Sequence, residues 1–208
     1  MVPAIPDVTL VQLLQRIAAF AVVLAWYGPV ATWLARRAGD PGPGYDGRSS
    51  VNPVVHLDLV GLAGAIFFRI GWMKALDVDP GRFRAPRRGL ALVVLGSSAA
   101  LIVLGLVALA LRPLVLAVLD GDGALAVSGV LAVIFELSVA TALLNLLPIP
   151  PLMGALWVGL ARPALARRAY EPRFRIVGTV VLVIALWLGW LSTPIRAVVS
   201  SVRSAAGF

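Results

Sequence analysis

Apolar positions run along this chain in long unbroken blocks, not in the alternation of a strand or the one-sided stripe of a soluble helix. The blocks at 8–34, 89–111 and 125–147 each reach the roughly 20 residues a helix needs to cross about 30 Å of hydrocarbon. A shorter block at 176–191 adds to the count. A further one at 54–72 is interrupted by His56, Asp58 and Arg69. Its polar residues, with Gly61, Gly64 and Gly71, fit a protein-buried element that enters the bilayer and turns back better than a lipid-facing helix. If it crosses fully instead, the loop at 36–52 moves to the other side. The pattern predicts an all-α integral membrane protein of four to five transmembrane helices, with a re-entrant segment at 54–72 and a proline-broken helix after 147. The C-terminal "RAVVSSVRSAAGF" is too brief to span and reads as an amphipathic turn or two on the interface. With no internal repeat or separate soluble domain, 1–208 reads as one polytopic membrane domain.

Composition fixes the solvent. The chain is 60% apolar and 13% charged, with a mean hydropathy of +0.95, which excludes a soluble globular domain. Its net charge of +8 comes from arginines placed between apolar blocks. They form no basic stripe with interleaved aromatics, so nucleic acid is not a partner and membrane lipid is. Five basic residues fall at 74–88 and five at 162–175, against Arg112, Asp120 and Asp122 in the connection between the third and fourth blocks. The positive-inside rule puts the two Arg-rich segments in the cytoplasm. The N-terminal residues lack the basic region and cleavage site of a signal peptide, so the first block is expected to stay. There is no cysteine and a single histidine, which removes disulfides, thiolate chemistry and any two-histidine metal motif.

Three features carry candidate chemistry. Glu136 lies in an apolar block, where an unpaired carboxylate costs roughly 2.5–3.5 kcal/mol; it reads as a contact for a partner helix, a proton carrier, or half of a pair with Arg69. His56 and Asp58 are too few for a metal site and read as caps for the re-entrant element. Pro148, Pro150 and Pro151 remove three backbone donors, and a break in the bilayer persists only where protein or water satisfies the freed carbonyls. With Asn145 and Gly154 they outline a groove for a partner or substrate segment.

Three sequence blocks also resemble the site-2 protease family of intramembrane zinc metalloproteases, in its compact bacterial branch. "RRAGDPGPGYDGRSSVNPVVHLDLVG" is similar to the family's run of Gly-Asp, Arg, Asn-Pro, His-x-Asp and Gly; "GWMKALDVDPGRFRAPRRG" to its Gly-Trp-x-Lys segment; and "NLLPIPPLMG" to its Asn-Leu-Leu-Pro-Ile-Pro-Pro-Leu-Asp-Gly. The resemblance implies the family's membrane fold. It also implies where a His-Glu-x-x-His motif, two imidazoles and a general base around zinc-bound water, would fall. Counting back from Gly39-Asp40 places it at Tyr27, Gly28 and Ala31, and the aspartate ligand of the third block is Met153, a poor zinc ligand. The family's Ala-Gly-Pro segment is "LGSSAA" here. These degenerate positions imply no catalytic residue, no metal and no cofactor. The expectation is a catalytically inactive site-2-protease-like protein of the bacterial cytoplasmic membrane that binds or scaffolds a transmembrane segment of another membrane protein, as an accessory, assembly or regulatory subunit. One alternative is an active intramembrane metallopeptidase with an atypical site, the only case in which zinc enters. A minor one is a small transporter component resting on Glu136 and Arg69.

Overall fold

The computed structural model of the protein describes residues 8–158 and 171–207, and among these it is helical without a strand. Helix α1 (Leu10–Ala38) opens with a capping box: the Gln12 N–H donates to the Thr9 hydroxyl and the Thr9 N–H to the Gln12 side chain. It closes at Gly39, whose φ of 124° lets its N–H return to the Ala35 and Arg36 carbonyls. Single turns α2 (Gly42–Tyr45) and α3 (Pro53–His56) follow, then α4 (Leu59–Phe68). A long helix α5 (Pro86–Val118) starts on Pro86, where the missing N–H would have had no partner anyway. Gly121, at φ 65°, then turns the chain into α6 (Gly121–Leu144). Beyond the prolines lie a 3-10 turn (Met153–Trp157), α7 (Pro172–Trp187) and α8 (Ser192–Ala205).

Helices α1, α5 and α6 are each long and apolar enough to cross a membrane; α7 and α8, bent by 69° at their junction, make a fourth crossing if the pair counts as one. The protein is therefore an all-α membrane protein with three to four spanning elements among the described residues, where the apolar blocks suggested up to five. Two blocks account for the difference. Helix α7 has 16 residues, about 24 Å of rise, short of the hydrocarbon thickness by itself. The block at 54–72 contains, besides most of the single turn α3, only the ten residues of α4, about 15 Å. That helix stops at Arg69, in the left-handed region at φ 57°, and the chain doubles back along it. The Trp72 carbonyl lies so close to Gly61 that a side chain there would collide with it. The Thr141 hydroxyl donates to the Gly71 carbonyl at 3.0 Å, supplying a partner that the returning backbone lacks.

Helix α6 is central. One face (Val133, Ile134, Leu137, Ala142) joins the core shared with α1 and α5. The other (Phe135, Val139, Ala140, Leu144) joins a second core with Ile70, Trp72, α7 and α8. The C-terminal segment is a 14-residue amphipathic helix, longer than its sequence suggested. Its buried Ile195 and Val199 sit one turn apart, which docks α8 on α6. The Arg-rich stretch at 162–175 lies outside the described residues up to 170.

Candidate functional site

The polar residues of the first sequence block build a connected loop system. Asp40 is 1% exposed; its carboxylate accepts the Gly42 N–H at 2.9 Å and the Asp79 N–H at 2.7 Å and faces the Arg82 guanidinium at 3.6 Å. It thereby ties the end of α1 to the segment entering α5. Arg48, also buried, donates to the Val55 carbonyl and to the Lys74 carbonyl at 2.6 Å. Asn52 caps α3 through the Val54 N–H, and Asp58 caps α4 through the Gly61 N–H at 2.7 Å. His56 is fully buried. Its Nε2–H donates to the Ser50 carbonyl at 2.7 Å, and its buried Nδ1 has no hydrogen-bond partner among the described residues. Burial lowers its pKa; the Ser50 carbonyl opposes that shift and the Arg48 charge adds to it.

Tyr27, Gly28 and Ala31 all lie on the buried face of α1. Met153, buried at the start of the 3-10 turn, belongs to the same apolar cluster as Tyr27 and Ala31. The Tyr27 hydroxyl lies beside Ser97 of α5. The His56 ring lies directly on Gly28, and a Cβ at that position would overlap it. Where the resemblance implies a metal centre, the chain thus supplies a phenol, a bare Cα, a methyl, a thioether and one imidazole. Zinc takes several imidazole, carboxylate or thiolate donors, and among the described residues no group of three or more such side chains converges. The residues do not fit the metal.

The proline segment is closely covered. Gly154 packs on the Leu147 and Asn145 carbonyls, and Gly178 of α7 lies on the Pro150 carbonyl. Asn145 caps α6 and is 3% exposed; its amide nitrogen is buried without an acceptor among the described residues. The cavity beside Pro150, Pro151 and Met153 has a volume of about 20 Å³, room for little more than a water molecule. Pro148 forms part of the same break at the end of α6.

A second polar site lies around Glu136. Its carboxylate accepts from Arg69 at 2.8 Å and from Arg203 at 2.6 Å. The Arg203 guanidinium also rests over the Phe135 ring, 5.8 Å from its centroid. Arg16, 5% exposed, donates to the Ile66 carbonyl, and Arg196 reaches the Phe68 carbonyl at 3.4 Å. These five charged side chains line one cavity of about 400 Å³ between α1, α4, α6 and α8. Reading the sequence picked out Glu136 and Arg69 but missed Arg16, Arg196 and Arg203. Only the i, i+7 spacing of Arg196 and Arg203, which puts both on one side of an amphipathic helix, could have signalled them.

No family model, curated protein or solved structure matches the chain.

Proposed function

We propose that this chain is a non-catalytic relative of the site-2 proteases, and that it holds a transmembrane or extended segment of a partner membrane protein as an assembly or regulatory subunit. One observation carries the reading. The positions that the three sequence blocks assign to the zinc motif share a packed apolar core, and the only histidine of the chain spends its ring filling the hollow above Gly28. A partner segment is assigned to the proline break, which has to part to admit it: the buried Asn145 amide nitrogen has no acceptor among the described residues, and an entering guest carbonyl would supply one. Arginine placement supports a bacterial cytoplasmic membrane with the loops at 74–88 and 162–175 in the cytoplasm.

The test has two arms. A photo-crosslinker introduced at Ile149 in native membranes is expected to capture a discrete membrane protein, and Asn145→Leu to abolish that adduct. Metal analysis of the purified protein is expected to find zinc well below one ion per chain. Stoichiometric zinc, with cleavage of a membrane peptide that disappears in His56→Ala, would overturn the non-catalytic reading. Absence of any adduct at Ile149 would overturn the partner role.

A further inference from the structure

We infer that the arginine-lined cavity between α1, α4, α6 and α8 binds the phosphate of an anionic phospholipid. The inference stands apart from the family resemblance. Four guanidinium groups reach the cavity, from Arg16, Arg69, Arg196 and Arg203, against the single carboxylate of Glu136. Helix α4 ends there too, and the Ile66 and Phe68 carbonyls that accept from Arg16 and Arg196 belong to its last turn. A helix C-terminus contributes about half a negative charge. Between two and three positive charges therefore remain uncompensated, within a membrane protein where an unpaired charge is expensive. Arg69 and Arg203 are held by Glu136. Arg16 and Arg196 make no ion pair among the described residues, so both have guanidinium donors to offer an anion.

Position and shape favour a lipid as the source of that anion. Helix α5 runs from Arg88 to Arg112 over 24 residues, about 36 Å of rise, which brackets the roughly 30 Å hydrocarbon layer. Gly105 packs against Phe135 and Ser138, so the Glu136 level lies about 10 Å along the helix from Arg112, in the outer part of the hydrocarbon on the side away from Arg87 and Arg88, where arginine side chains can extend to the headgroup layer. Helix α8, bent 69° away from α7, carries its Arg-bearing side over this region as an interfacial amphipathic helix does. The rest of the wall is apolar, from Phe67, Phe68, Ile195 and Val199. A basic pocket between helices with an apolar wall matches a phosphate head with its glycerol and upper acyl chain.

The experiment measures binding of dioctanoyl phosphatidylglycerol, dioctanoyl phosphatidylcholine and inorganic phosphate to the full chain in a non-ionic detergent, with thermal stability as a second readout. Phosphatidylglycerol is expected to bind saturably and raise the thermal midpoint; phosphatidylcholine is expected to do neither at equal concentration. Arg196→Gln removes a charge whose hydrogen bond to the Phe68 carbonyl is long at 3.4 Å, so it is expected to keep the fold while weakening phosphatidylglycerol about fivefold. Glu136→Gln frees Arg69 and Arg203 and removes the competing anion, so it should tighten the lipid; a merely structural ion cluster would give no such gain. Equal binding of the two lipids, or an Arg196→Gln protein that binds like wild type, would overturn the inference. Inorganic phosphate binding as tightly as the lipid would overturn the lipid assignment in favour of a soluble phosphate compound.

Discussion

Replacing Gly28 with alanine tests whether the His56 ring really occupies the hollow on α1. In an ordinary helix interior the change would be favourable by about 0.8–1 kcal/mol, since alanine is the better helix former. Here the new methyl would overlap the His56 ring, and the ring has no free direction: it is fully buried and anchored through Nε2 to the Ser50 carbonyl at 2.7 Å. Overpacking of this kind costs about 1–3 kcal/mol. The steric cost exceeds the propensity gain, so Gly28→Ala is expected to destabilise the protein. In a His56→Ala background the obstacle is gone and the same substitution should stabilise by up to about 1 kcal/mol. For a chain of this size each kcal/mol moves the thermal midpoint by about 2–4 °C, so dye-monitored unfolding in detergent can resolve both signs. The double-mutant cycle isolates the contact, with an expected coupling of about 1–3 kcal/mol. Additive effects, or a Gly28→Ala protein as stable as wild type, would refute the filled hollow and reopen space for a ligand there.

Acid should probe the same ring. Burial lowers the His56 pKa from its ordinary 6.5, so over the range just below that value the unfolded chain binds the proton and the folded one does not. Stability is therefore whole above the unfolded pKa and lost as pH falls toward the folded one. As the chain has one histidine, the loss that sets in as pH falls below the ordinary histidine value should vanish in His56→Gln, read as thermal midpoint against pH. Asp40→Ala leaves the Gly42 and Asp79 amides without their acceptor and should cost about 1–3 kcal/mol; hydrogen exchange is expected to accelerate at those two amides and not in α6.

The spans were legible because hydrocarbon imposes a length and an apolar content that a sequence either meets or fails. The polar residues and glycines of 54–72 carried information of the same kind. Gly61 marks the close approach of the returning Trp72 carbonyl, and Asp58 is a cap. The bond between Asp40 and the Asp79 N–H was not legible, because it joins segments 39 residues apart through a backbone group that leaves no trace in the side-chain pattern. Arg203 was missed for a related reason. Its segment looked too short to matter, and its meeting with Glu136, 67 residues earlier, depends on the bend between α7 and α8. The proline break could be read as a break, but its covering by Gly178 could not.

Arg69 separates two quantities that screens often treat as one. Its left-handed backbone, at φ 57°, costs a residue with a Cβ about 1–2 kcal/mol that glycine does not incur. Its ion pair with Glu136 has side chains 43% and 16% exposed, and Glu136 keeps Arg203 when Arg69 is removed, so losing the pair costs only about 0–1 kcal/mol. Arg69→Gly is therefore expected to raise the amount of protein that reaches the membrane while removing one cation from the cavity. A variant library sorted on abundance alone would rank this substitution among the improvements, and the same library sorted with anionic lipid present would rank it among the losses.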